Sequence, residues 1–397
     1  MYTAAALFGQ APGRQKRAVT DDEVAKVHQS AILIDTHNDI TSATVAGLDI
    51  AKPNDKMTDL PRMKKGGMGA EFFAAFVAAS YVQGNRSANR ALQMIDTIRH
   101  DIVEMHPNDF VLALTADDIR KARQQGKIAA LIGIEGGHAI EDSLRLLRDY
   151  YDLGVRYMTL THSNSNHWAD SSGDANKPNN GLSEFGKQVV AEMNRLGMIV
   201  DISHTADKTF WDALEVSKAP IFASHSSCRA ISPPARNMTD EMIVAMAKKG
   251  GVVQINFSCE YLNADVAKFN AAHAERVRAI RDQLIPKYAN DPDGLRKAMT
   301  SARSAAGIPP GPRAKLADVV AHINHVVKIA GVDAVGLGSD FDGVSCVPEG
   351  LESVDKWPNL TRALLEEGYT AEEIRKIYGE NTLRLMAAVE KAKATIH

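Results

Sequence analysis

Residues 32–40 read ILIDTHNDI. Three apolar residues lead into Asp35, His37 and Asp39 at alternate positions. Side chains two apart on a strand share a face. The stretch therefore describes a buried strand that runs out into three ionisable groups, as the strands of an α/β barrel do at their C-terminal ends.

Seven more apolar runs follow: 69–77, 128–137, 156–162, 197–204, 220–226, 250–257 and 333–343. Near-continuous apolar runs suit strands covered on both faces of a parallel sheet. Helical patterns fill most of the gaps. EDSLRLLRDYYDLG (141–154) and SEFGKQVVAEMNRLG (183–197) space their apolar residues three to four apart and end on glycine; 205–217 and 239–251 behave alike. Thr20 with Glu23, and Thr370 with Glu373, read as capping boxes opening the first and last helices.

Eight strand–helix repeats predict an α/β fold, a (β/α)8 TIM barrel of the metal-dependent hydrolase type. No GxGxxG or P-loop follows an early strand, which argues against an open doubly wound sheet. Residues 259–315 break the rhythm and predict a helical insertion between barrel strands 7 and 8. The expected organisation is a flexible segment 1–19 followed by one catalytic domain, 20–397.

The 397 residues are 45% hydrophobic and 24% charged, with net charge −3. That composition is globular, and the charge offers nothing to nucleic acid or an anionic membrane. No run is long enough for a transmembrane helix. The start, MYTAAALFGQAPGR, lacks a basic region before its apolar run, so a complete secretory signal is not expected. It matches the tail of a trimmed one, and both cytoplasm and periplasm stay open. The polar C-terminus predicts no lipid anchor. Cys228, Cys259 and Cys346 allow at most one bridge, and the expectation is three thiols without a role.

The ionisable residues gather at the strand ends: His37 and Asp39, Glu135, His162, His204, His225, Asp340 and Asp342. His37 and Asp39 share a face and suit one metal ion; imidazole and carboxylate are ordinary zinc ligands. His204 and His225 end consecutive strands, close enough to hold one ion between them. Glu135 has two oxygens and can bridge two metals. The sum is a two-metal hydrolase site that activates a water. A single histidine at a strand end is usually a satisfied polar residue; the convergence of five candidates points to metal. Asp35, deeper on the same face, fits either a carboxylate orienting a ligand or a structural one.

DTHND (35–39), IEGGH (134–138), LTHSNSNHWADS (160–171), DISH (201–204), SHSSCRAISPPARN (224–237) and GLGSDFDGV (336–344) follow in this order. Together they closely resemble the membrane (renal) dipeptidase family of zinc metallopeptidases, from about residue 20 to the C-terminus, and look most like its bacterial branch. The resemblance implies two zinc ions per chain: His37 and Asp39 on one, His204 and His225 on the other, Glu135 bridging. It implies that His162 contacts the substrate and stabilises the tetrahedral intermediate. Arg236 would hold the substrate carboxylate, and Asp340 would handle the proton for the leaving amine. It further implies a dipeptide substrate, a homodimer, acceptance of D-residues at the C-terminal position and, in some members, opening of β-lactams.

The chain departs from animal members in Ser258, where they place a tyrosine, and in a longer insertion. Two alternatives are another binuclear amidohydrolase acting on a non-dipeptide amide, and a barrel that keeps zinc without catalysis. The first usually opens with His-x-His and often bridges its metals with a modified lysine. This chain has His-x-Asp and Glu135.

Overall fold

A computed structural model describes residues 14–288 and 292–393. Nine strands form one parallel sheet. They are β1 (Leu33–Asn38), β2 (Met68–Phe76), β3 (Phe110–Leu112), β4 (Ile128–Glu135), β5 (Val155–Thr159), β6 (Ile199–Asp201), β7 (Phe222–Ser226), β8 (Val252–Ile255) and β9 (Val335–Leu337). The order is β1-β2-β4-β5-β6-β7-β8-β9, and β3 hangs on β4 outside that path. The ring closes at its C-terminal rim: Asp340 N–H donates to His37 O at 3.0 Å, and Asp39 N–H to Phe341 O at 2.9 Å. The eight expected runs are the eight barrel strands. The short β3 went unread because its three residues carry no alternation long enough to see.

Alternate residues of each strand fall into two buried clusters, as a period of two requires. Ile34, Phe72, Leu131, Tyr157, Phe222 and Val252 belong to one. Their neighbours Leu33, Phe73, Ile132, Met158, Ala223 and Val253 belong to the other, which packs against the helices. The Tyr157 ring lies 5.3 Å from both Phe72 and Phe222, on strands that are not its neighbours in the sheet. That cluster is therefore the barrel interior. Burying each large side chain there contributes about 1.5–3 kcal/mol.

The helices stop where the sequence says they should. Ser183 caps Glu184–Leu196, and Gly197 follows in the left-handed region at φ 78°. Thr370 forms a complete capping box at the start of the last helical stretch. The Thr20 box is only half made. Its hydroxyl accepts Glu23 N–H, but the Glu23 carboxylate turns outward to Arg17.

Three helices, Cys259–Leu262, Ala264–Leu284 and Pro292–Ala305, separate β8 from the helix Leu316–Ala330 that leads into β9. The expectation of roleless thiols is corrected here. Cys259 and Cys346 form a disulfide, tying the start of this excursion to the loop after β9. Spacing gave no sign of it, because the two residues are 87 apart and only the barrel brings their strand ends together. Cys228 is a buried free thiol.

Residues 1–13 of the expected flexible segment lie outside the described residues, as do 394–397. Arg14 pairs with Glu373 at 2.6 Å and lies over the Tyr369 ring. Arg17 N–H donates to Glu366 O. Among the described residues no helix is long and apolar enough to cross a membrane.

Candidate metal centre

The rim of the barrel collects the ionisable residues around Glu135. This residue ends β4 with its side chain buried, and its two oxygens face different ways. Oε1 lies 2.9 Å from His204 Nε2 and 3.2 Å from His225 Nε2. Oε2 lies 3.6 Å from His37 Nε2, which in turn lies 3.3 Å from Asp39 Oδ2. All five residues expected as ligands thus meet, divided by one carboxylate into two groups.

The local structure explains how each side chain arrives. On β1, the Thr36 hydroxyl spans the barrel to Ser224 O and Leu337 O, and register slips between Asp35 and Asn38. The slip turns His37 inward, where its ring stacks on His225 with centroids 3.7 Å apart. Asn38 points away, donating to Thr58. Asp35 accepts the N–H and hydroxyl of Ser339 and reaches neither histidine ring. It is the structural carboxylate of the β1–β9 seam; burial, opposed by those hydrogen bonds, raises it to about 6.

His204 sits just beyond β6 at φ 67°. Left-handed backbone is costly for a residue with a side chain. Ser172 N–H, at 2.7 Å, and the Ser172 hydroxyl, at 3.0 Å, donate to the His204 carbonyl and hold it there.

Two hydrogen-bond chains set the tautomers. The Asp201 carboxylate can only accept, so the Ser224 hydroxyl gives its proton to Asp201 Oδ2 at 2.6 Å. Ser224 Oγ must then accept from His225 Nδ1–H at 2.7 Å. The same logic runs through Tyr157. Its hydroxyl donates to Thr36 O, leaving the oxygen to accept from His37 Nδ1–H at 2.8 Å. Both histidines therefore carry the Nδ1 proton, and in the neutral form each presents a bare Nε2 lone pair. Tyr157 fits only because residue 133 is glycine: a Cβ there would lie 2.0 Å from its ring.

These lone pairs test whether a cation fits. His204 Nε2 and His225 Nε2 are 3.1 Å apart and lie 2.9 and 3.2 Å from Glu135 Oε1, so three donor atoms converge on one point. His37 Nε2 is buried with no hydrogen-bond partner. Nitrogen and carboxylate oxygen are donors suited to zinc. Three overlapping sets of potential ligands arise here: His37–His225–Asp340, Glu135–His162–His204 and His37–Asp39–Glu135. The residues present fit a metal pair.

The protein atoms alone shift these groups strongly. Burial pushes Glu135 up, but the imidazoles packed around it, His37 and His162 first, hold it well below the usual range. Burial pushes His37 down, but Tyr157, Glu135 and Asp39 outweigh it and raise it. Burial, then nearby positive charge from Arg236, keeps His204 neutral, and burial with His37 and Arg236 does the same to His225. Neutral imidazoles are what metal binding requires. Asp340 is driven up to about 8 by burial, with Asp39 and Glu135 adding to it against His37 and Asn256.

The other expected residues surround this cluster. His162 lies just past β5, its Nε2 3.9 Å from Glu135 Oε1, with the Phe76 ring packed against it. Asp340 sits at φ 63°, and Asn256 Nδ2 donates to its Oδ2 at 2.8 Å. Arg236, in the loop after β7, is buried. It donates to Ser226 Oγ at 2.5 Å and His225 O at 2.6 Å, and its Nε has no partner. Its guanidinium lies 5.6 Å from the Tyr261 ring. Asp342 stands apart, accepting Met57 N–H.

Asp201, Ser224, Tyr157 and Asn256 were not singled out in the sequence. The available signal was an Asp inside the otherwise apolar run 197–204; the other three look like ordinary strand residues.

The family model described as membrane dipeptidase (peptidase family M19) matches residues 21–397. An uncharacterized dipeptidase of Schizosaccharomyces pombe is 33% identical over 398 residues, covering 95% of this chain and 85% of that protein. The probable dipeptidase PvdM from Pseudomonas aeruginosa superposes with TM-score 0.80 at 26% identity, covering 94% of this chain and 98% of its own. A metallopeptidase from Rhodobacter sphaeroides, solved with a phosphinate mimic of the dipeptide L-Ala-D-Ala, superposes with TM-score 0.72 at 26% identity, covering 90% and 99%.

Proposed function

Because the chain belongs to the membrane dipeptidase family of metallopeptidases, we propose that it is a binuclear zinc dipeptidase. It cleaves the peptide bond of small dipeptides that carry a free amine and a free carboxylate. The observation that carries this reading is the division of Glu135: one oxygen faces His204 and His225, the other faces His37. His37 and Asp39 would hold one zinc, His204 and His225 the other, and Glu135 both. When bound, such ions bring the pKa of a coordinated water down to about 7 and polarise a carbonyl.

The chain's own residues do the rest. Arg236 is a buried cation whose hydrogen bonds run to a hydroxyl and a carbonyl, not to a carboxylate. It binds the substrate's terminal carboxylate, which guanidinium matches in geometry and charge. His162 is held over the cluster by Phe76 and donates from Nε2 to the carbonyl oxygen as that oxygen gains negative charge. Asp340 has one oxygen engaged by Asn256, so Oδ1 is the oxygen that passes a proton to the departing amine nitrogen. Acceptance of a D-residue at the C-terminal position is supported by the L-Ala-D-Ala mimic held by the Rhodobacter relative.

The test is a panel of L,L- and L,D-dipeptides and a β-lactam, assayed with the protein as purified, after chelation and after zinc return, alongside elemental analysis. Two zinc ions per chain and activity that vanishes and returns with them are expected. Dipeptide hydrolysis that survives complete metal removal would sink the proposal.

A further inference from the structure

A cavity of about 360 Å³ opens on the same rim as the metal centre. Three loops enclose it: the one after β2, the turn after β4 and the segment after β5. Phe76 and Glu135 end the first two of these strands, and His162 follows the third. The larger groove, about 820 Å³, lies between the N-terminal segment and the helix Leu316–Ala330 and includes no rim residue.

The lining is rich in hydrogen-bond acceptors. Glu141 and Asp142 supply carboxylates, Asn85 and Asn164 supply amides, and no lysine or arginine contributes; the Asn166 amide is spent on Leu160, Trp168 and Ala169. Glu141 spends one oxygen on Ala88 N–H at 3.0 Å. Asp142 meets His167 at the exposed mouth. At the base stands His138, 6% exposed, with neither ring nitrogen hydrogen-bonded. The backbone of Val77 and Ala78 lies beside the ring without completing a bond of good geometry. A buried imidazole on a cavity wall, held by no hydrogen bond of good geometry, can take a polar occupant.

The backbone around the cavity is strained as well. Seven non-glycine residues among those described have positive φ. Two of them, His204 and Asp340, belong to the metal centre, and Asp342 lies two residues beyond Asp340. Three more, Asn85, Glu141 and Asp142, line this cavity. Strain of this kind persists where a site over-determines it.

Direction follows from strand order. Arg236 comes after β7, while the cavity belongs to β2, β4 and β5. A dipeptide with its carboxylate on Arg236 and its scissile bond above Glu135 sends its N-terminal residue towards the cavity. We propose that this cavity receives the N-terminal side chain and selects a cationic one, lysine or arginine. Ammonium and guanidinium groups are donors only, and they match walls that offer carboxylate, amide and imidazole acceptors and hold no lysine or arginine.

The inference rests on the dipeptidase reading, and the experiment separates the two. The zinc-loaded protein is assayed on Lys-Ala, norleucyl-Ala and Glu-Ala, which share similar length and differ in terminal charge. A kcat/KM at least about tenfold higher for Lys-Ala than for norleucyl-Ala is expected, with Glu-Ala poorest; tenfold is the range of a few partly exposed charge-assisted contacts. In the double variant Glu141→Gln/Asp142→Asn the lysyl-to-norleucyl ratio should fall towards one. Asn and Gln keep the local turn, and the wild-type ratio is informative without the variant. Equal or preferred norleucyl-Ala, or a ratio unmoved in the variant, overturns the cavity assignment alone. No hydrolysis of any dipeptide overturns the functional reading and this inference with it.

Discussion

Ser224 Oγ accepts the Nδ1–H of His225 at 2.7 Å because its own proton is committed to Asp201. Asp201 is wholly buried. Its Oδ1 takes the backbone N–H groups of Ser203 and Ser224, and its Oδ2 takes the hydroxyls of Ser224 and Thr159. In Asp201→Asn the two backbone donors hold the amide oxygen in place, so the amide nitrogen faces Ser224. The relay reverses: Ser224 then donates to His225 Nδ1, and the imidazole proton moves to Nε2. Zinc affinity on the His204–His225 side should fall about 10–100-fold, the usual cost of losing such a partner, while the His37–Asp39 side holds. Chelator competition checks this; two undisturbed sites would contradict the relay.

Arg236 should act on binding. Lysine at this position keeps the charge and loses the fork. Losing one charge-assisted pair costs about 1.5–3 kcal/mol, so Arg236→Lys should raise KM about 10–100-fold with kcat nearly unchanged. Dipeptide amides, lacking the carboxylate, should lose far less. Steady-state kinetics on both substrate series gives the answer; equal losses would place Arg236 elsewhere in the reaction.

His162 should act on the chemical step. Its Nε2 is 3.9 Å from Glu135 Oε1, outside hydrogen-bonding range, and its ring is partly exposed. His162→Ala should lower kcat about 10²–10³-fold, the effect of removing one oxyanion donor, with both zinc ions retained by elemental analysis. Zinc loss would make it a ligand instead.

Glu71 lies beside Asp35 across the β1–β2 register, wholly buried, with neither oxygen hydrogen-bonded. Burial, reinforced by the Asp35 charge, raises its pKa well above the ordinary 4.5. A raised carboxyl makes the folded state bind a proton that the unfolded chain releases, so its stability contribution is full at low pH and declines as pH rises. Glu71→Gln removes this titration. The stability of Glu71→Gln relative to wild type should therefore grow steadily above about pH 4.5. Unfolding midpoints from pH 4 to 8 measure it, and a constant difference would refute the assignment.

The Cys259–Cys346 bond closes a loop of 87 residues that includes the long insertion. Cross-links of this span stabilise by about 2–4 kcal/mol. Cys259→Ser, or reduction, should lower the unfolding midpoint by a corresponding amount. Identical unfolding of reduced and oxidised protein would show the link to be thermodynamically idle.

The sequence by itself determined the barrel and the inventory of its rim. Buried parallel strands must be apolar on both faces, so eight such runs announce themselves. Residues such as His37, Glu135 and Asp340 stand out because each follows or ends an apolar run. Tertiary structure alone decided how those residues relate. Spacing could not say that Asp35 secures the β1–β9 seam, since that depends on Ser339, some 300 residues away. Nor could it show that Asp201 sets the His225 tautomer through Ser224, or that Cys259 meets Cys346. Alternation along a strand is a local property and survives in one dimension. The division of Glu135 between two histidine groups is a property of the closed ring, which brings β1, β4, β6 and β7 to a single rim.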